Sequence, residues 1–153
     1  MLRWLAISVP RWSTIRAPRW CWGAAALALP VAWLLAAAGH GLHAPASLRG
    51  LACLVMLAAA EELVFRGGLH AVLARRPAWA QRRFGFSGAN LLTSVVFSVA
   101  HLWAHTPLQA AAVLPVSLLL GASFEHSSRL RVPVALHIWF NAALYGMSLL
   151  HAR

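Results

Sequence analysis

The chain has 153 residues, of which 61% are hydrophobic and only 10% charged. Soluble domains carry about 25% charged residues, so this composition excludes a water-facing surface and indicates an integral membrane protein. The net charge of +10 would suit a nucleic-acid binder, but the basic residues lie between apolar runs. That is the pattern of loops meeting anionic lipid head groups, and no nucleic-acid partner is expected.

All thirteen basic residues are arginine, and the chain has no lysine or aspartate. With so much alanine, this usage suggests a GC-rich bacterial genome, and hence the bacterial inner (cytoplasmic) membrane. Cys21 and Cys53 fall inside apolar segments without a CxxC or CxxH neighbour. They read as small hydrophobes rather than as a disulfide framework or zinc knuckle.

In chain order, residues 1–19 form a basic, Trp-rich segment that is expected to lie at the cytoplasmic interface, with Trp4 and Trp12, and Trp20 just beyond, at head-group level. Arginines ahead of an apolar run also begin a signal peptide, but this lead is long, and the first span is expected to be retained. Residues 20–153 read as one helical membrane domain, with a motif-bearing core over about 48–145. A spanning helix needs about 20 mostly apolar residues. Five segments qualify, at about 20–39, 48–74, 89–104, 108–124 and 132–150. The expected fold is therefore an all-α bundle of about five transmembrane helices enclosing a polar site.

Arginine placement orients these helices. Arg3, Arg11, Arg16 and Arg19 precede the first, Arg75, Arg76, Arg82 and Arg83 separate the second and third, and Arg129 and Arg131 separate the last two. The opposite turns hold only Arg49, and Arg153 ends the chain. The positive-inside rule then places the N-terminus in the cytoplasm and the C-terminus outside.

Ionisable side chains at mid-membrane cost roughly 2.5–3.5 kcal/mol each and are functional candidates by default. The second segment carries Glu61, Glu62 and Arg66, the third ends near His101, and the last holds His137 and Asn141. Glu62 and Arg66 stand four residues apart, so they share a helix face and can pair. Glu61 is rotated by about 100° from its neighbour and needs a partner on another helix, for which histidine is the natural choice. A buried carboxylate placed this way is a candidate general base.

Glu61-Glu62-x-x-x-Arg66, then Phe97-x-x-x-His101, then His137-x-x-x-Asn141 resemble the three ordered motifs of the CPBP (CAAX protease and bacteriocin-processing) intramembrane proteases. The stretch from Gly121 to Asn141 resembles that family's link into its last motif. The resemblance implies hydrolysis of a peptide bond within or beside the bilayer. Glu61 and His101 would position and deprotonate water, and His137 and Asn141 would donate to the oxyanion. Glu62 and Arg66 would brace Glu61. No cofactor is expected, since Asn141 suits an oxyanion better than zinc. In the metal-dependent alternative, Glu61, His101 and His137 would hold a zinc ion. The expected partner is a membrane-embedded or tail-anchored protein carrying a sorting tail or leader peptide.

Rival readings have weaker support. Gly85-Phe86-Ser87-Gly88 matches the GxSG of rhomboid serine proteases, with His137 as a conceivable base, but Ser87 is also an ordinary helix N-cap candidate. His101 and His105 are spaced to bind metal, yet His105 falls in a turn where solvation is expected. Buried Glu, Arg and His also mark proton-coupled transporters, though the chain shows no inverted repeat. A non-catalytic scaffold or immunity partner leaves the complete motif set unexplained.

Overall fold

A computed structural model describes residues 19–37, 47–83 and 85–151. The expected interfacial segment at 1–18, with Trp4 and Trp12, lies outside the described residues, as does the Cys21 side chain.

The fold is all-helical apart from one two-residue hairpin. Helix α1 (Arg19–Ala37) is followed by α2 (Leu48–Glu62), which runs without a break into a π-helical segment, Leu63–His70, and then α3 (Ala71–Ala74). After α4 (Pro77–Ala80), strands β1 (Arg82–Arg83) and β2 (Phe86–Ser87) pair antiparallel, turning at Gly85 with φ +88°. Helix α5 (Gly88–Ala100) closes in a 3₁₀ turn, His101–Trp103, and α6 (Pro107–Ser127) and α7 (Arg131–His151) complete the chain. Helix α7 packs against α1, α2 and α6, while α5 packs against α6 and the π segment. The glutamate-bearing helix therefore lies between α7 on one side and α5 on the other.

Local chemistry sets most of these boundaries. Ser47 caps α2 by accepting from the Gly50 N–H at 3.1 Å, and Ser87 caps α5 by accepting from the Asn90 N–H at 3.0 Å. Thr106 and Gln109 form a reciprocal capping box at the start of α6, with Pro107 in the first turn where its missing N–H costs nothing. The left-handed Ser128, φ +52°, ends α6.

Helices occupy all five stretches expected from the sequence, with two departures. Helix α6 continues past Phe124 to Ser127, so Glu125 lies within it. The π winding over Leu63–His70 follows from no pattern of the sequence. Glu62, Arg66 and His70 all remain on the inward face, at 0%, 0% and 1% exposure.

Burial is inverted relative to a protein folded in water. Polar and charged residues, including Glu62, Arg66, Asn90, Ser94 and Ser117, outnumber apolar ones in the interior, while Trp22, Met56, Val64, Val99 and Trp103 are exposed. Water would penalise such an outer surface; an apolar solvent would not. Among the described residues, Pro107–Ser127 is the one helix long and apolar enough by itself to cross a membrane, and Trp22–Val31 and Gly88–Trp103 are shorter apolar stretches. The helical run from Leu48 carries Arg49, Glu61, Glu62 and Arg66, so the site residues themselves interrupt its apolar character.

Candidate active site

Glu62 is the centre of the buried polar cluster. Its Oε1 accepts from Arg66 Nη1 at 2.8 Å, one helical turn along. The same oxygen lies 2.8 Å from His137 Nδ1 on α7. An ionised carboxylate only accepts, so Nδ1 of His137 carries the proton in this pair. The opposite ring nitrogen, Nε2, is 3.6 Å from Glu61 Oε2. His137 is thus held between the two adjacent glutamates, each of which reaches a different nitrogen of the ring.

Arg66 is fixed from a third helix. Its Nη2 donates to the Ser117 carbonyl at 2.9 Å and to Ser117 Oγ at 2.6 Å. The guanidinium also lies over the Phe97 ring, 4.7 Å from its centroid, an arrangement in which the ring face attracts the cation. Phe97 is itself buried between the motif groups, with the His101 ring at 4.5 Å, His137 at 5.9 Å and Phe65 at 4.8 Å. The first motif (Glu61, Glu62, Arg66), the second (Phe97, His101) and His137 of the third therefore meet around one aromatic ring.

His101 stands at the end of α5, where its Nδ1 is 2.8 Å from the Phe97 carbonyl. A carbonyl also only accepts, so Nδ1 bears the proton and Nε2 is the acceptor of the neutral ring. Among the described residues no hydrogen bond joins His101 to Glu61; the histidine nearest to Glu61 is His137. Asn141 is half-buried one turn beyond His137, and its amide meets no hydrogen-bond partner among the described residues. His105, expected in a solvated turn, is half-buried and stacked on His101, with centroids 5.6 Å apart. Partial burial, followed by the His101 ring, holds its pKa below the ordinary imidazole value, against an opposing pull from Glu61.

Among the described residues no three His, Cys, Asp or Glu side chains gather to hold a metal ion.

Several buried residues were not foreseen from sequence. Ser117 Oγ donates to Ser94 Oγ at 3.0 Å, Ser94 Oγ to Asn90 Oδ1 at 3.2 Å, and the Asn90 amide to the Leu118 carbonyl at 3.1 Å. The four-residue spacing of Asn90, Ser94 and Ser98 in a mostly apolar helix was the available signal. A second cluster joins Glu125 to Ser87, which donates to its Oε1, to His70 Nε2 at 3.2 Å and to Arg82 Nη2 at 3.2 Å. Ser87 is thus occupied as a helix cap and as a partner of Glu125. His137 is paired instead with Glu62, so the serine-protease geometry is not formed.

No curated protein and no solved structure matches the chain. The family model of type II CAAX prenyl endopeptidase Rce1-like proteins matches residues 43–143, a stretch that contains Glu61, Glu62, Arg66, His101, His137 and Asn141. With well over half of its 153 residues covered and its polar motifs gathered around Phe97, the chain belongs to the Rce1-like type II CAAX prenyl endopeptidase family, a family of membrane proteases.

Proposed function

We propose that this protein is a multi-pass endopeptidase of the bacterial inner membrane, crossing it five times with its N-terminus in the cytoplasm and its C-terminus outside. Its substrate is a membrane-anchored or exported protein, cut in or beside a hydrophobic segment such as a sorting tail or leader. The observation that carries this reading is the double engagement of His137, with Nδ1 on Glu62 and Nε2 facing Glu61. It places a carboxylate, an imidazole and a fixed second carboxylate together inside an apolar bundle.

The chemistry follows from those positions. Glu61, about one-fifth exposed and, among the described residues, with His137 as its one ion-pair partner, is the general base that takes a proton from water, assisted by Nε2 of His101. The hydroxide attacks the scissile carbonyl carbon, and the carbonyl oxygen becomes an oxyanion. Asn141 donates to it through its side-chain amide. With its Nδ1 proton given to Glu62, His137 can donate from Nε2 only as the doubly protonated ring. Glu61, the acceptor nearest Nε2, is then the group with which that proton is exchanged. Collapse of the intermediate breaks the C–N bond, and the leaving nitrogen takes the proton abstracted from water. A general base contributes typically about 10²–10⁴-fold, and an oxyanion donor about 10²–10³-fold. Glu62 and Arg66 hold His137 and do not touch the substrate. No step of this scheme is assigned to a metal ion.

The test is proteolysis in proteoliposomes by wild type and Glu61→Gln, with and without a strong zinc chelator. An internally quenched peptide with a hydrophobic C-terminal segment serves as the first substrate, followed by exported proteins with hydrophobic tails. Cleavage that persists with chelator and is lost in Glu61→Gln is the expected result. Cleavage abolished by the chelator and restored by zinc would replace the glutamate mechanism with a metal-dependent one.

A further inference from the structure

We propose that Ser94 and Ser117 are positioning residues for the reaction, forming with Asn90 a hydroxyl ladder that fixes Arg66 and, through it, the Glu62–His137 pair. This inference rests on the catalytic reading above and adds to it two residues that lie outside the three motifs.

Arg66 is fully buried, so its orientation depends on what accepts from it. One terminal nitrogen is used by Glu62, and the other is shared between the carbonyl and the hydroxyl of Ser117. Nε has no partner among the described residues, so Ser117 is the principal anchor on the side away from Glu62. A serine hydroxyl has one proton. Because Ser117 Oγ accepts from Arg66, its own proton is free to be directed to Ser94 Oγ, whose proton goes in turn to Asn90 Oδ1. Every hydrogen bond in the ladder therefore runs in one direction, from the guanidinium on the π segment, through α6, to α5.

The far end is held by packing. A Cβ at Gly121 would lie 1.9 Å from Asn90 Oδ1, so the Asn90 side chain fills the space where that residue lacks one. It also donates to the Leu118 carbonyl on the same helix. Ser94, Ser117 and Asn90 are each completely buried, and each polar atom of the ladder is used. Without the Ser117 hydroxyl, the carbonyl of residue 117 alone would hold the guanidinium on that side, and the Glu62 Oε1 that Arg66 shares with His137 would have a less fixed partner. The ring facing Glu61 would lose its fixed angle.

The test compares Ser117→Ala and Ser94→Ala with Ser123→Ala. Ser123 is equally buried on α6 but, among the described residues, its hydroxyl bonds only to the Leu120 carbonyl of its own helix, at 2.7 Å. It is therefore a control for the loss of a buried hydroxyl. The readouts are kcat and KM on the peptide cleaved by wild type, with thermal stability measured in parallel. Ser117→Ala is expected to lower kcat roughly tenfold, as for a lost hydrogen bond to a buried charged group, and Ser94→Ala about fivefold, as for a lost neutral one, with KM little changed in both. Ser123→Ala should lower stability alone. Ladder variants whose kcat matches that of Ser123→Ala would overturn the proposal. Should Ser117→Ala not fold, Ser94→Ala decides, because it leaves the Arg66–Ser117 bond in place and removes only its orientation. Full activity in Glu61→Gln would instead overturn the catalytic reading itself, an outcome distinct from failure of the ladder.

Discussion

Glu62 Oε1 accepts from His137 Nδ1 and Arg66 Nη1 at the same distance, 2.8 Å. One carboxylate oxygen thereby ties together α2, the π segment and α7. The neighbouring Glu61 is 3.6 Å from the other nitrogen of the same imidazole. Two adjacent carboxylates thus face different nitrogens of one ring, and the proposed mechanism gives them different tasks.

That division predicts different mutational phenotypes. Glu62→Gln or Arg66→Ala breaks a buried ion pair and should cost about 3–5 kcal/mol of stability as well as activity. Glu61→Gln, at a partly exposed position, should abolish cleavage and leave the melting temperature nearly unchanged. Thermal unfolding in detergent alongside the cleavage assay measures both, and equal losses of stability in all three variants would contradict the assignment.

The Asn141 side-chain amide has no hydrogen-bond partner among the described residues, as the proposed oxyanion role requires. Asn141→Ala should reduce kcat by about 10²–10³-fold, the usual effect of losing one oxyanion donor, with little change in stability. A loss confined to KM would show that Asn141 binds substrate without stabilising the transition state.

Gly121→Ala should destabilise the fold by about 1–3 kcal/mol, the ordinary cost of overpacking, because the new methyl group displaces the Asn90 side chain. Adding Asn90→Ala removes the clash. The double variant should therefore be more stable than the sum of the single effects implies, as chemical or thermal denaturation of the four proteins would reveal.

Ser87→Ala should leave cleavage intact while costing about 1 kcal/mol through the lost helix cap, with a further loss from its bond to Glu125. Serine-directed covalent inhibitors should likewise have no effect. Inactivation by either would restore Ser87 as a candidate nucleophile.

His105 predicts a pH dependence outside the helices. Its folded-state pKa is lowered, by burial first and His101 second, so the unfolded chain takes up this proton more readily. Stability should be intact above the unfolded value of about 6.5 and fall as pH drops from there toward the lowered folded value. His105→Asn should flatten that acid-side slope in melting temperatures measured across the range; an unchanged slope would exclude His105 as its source.

Much of the helical framework was legible in the sequence because its causes are local. Ser47, Ser87 and Thr106 mark helix starts through hydrogen bonds within a turn of themselves, and Glu62 and Arg66 pair because residues four apart meet on any helix. The site residues stood out for a related reason: an ionisable group inside an apolar segment is costly enough to require an explanation. The π winding was not legible, since Leu63–His70 has no composition that demands it. Ser94 and Ser117 were also passed over, because isolated serines in apolar helices acquire meaning only when another helix supplies their partners.

The sequence by itself determined that the chain is helical, that its surroundings are apolar, and that ionisable groups such as Glu62, Arg66 and His137 had to turn inward. Only the tertiary structure decided that His137, rather than His101, is the histidine beside Glu61, and that Arg66 is anchored by Ser117. Spacing along one helix fixes angles about that helix alone. Which side chains meet between helices depends on crossing, stagger and winding, and here those are set by packing around Phe97 and by the π segment.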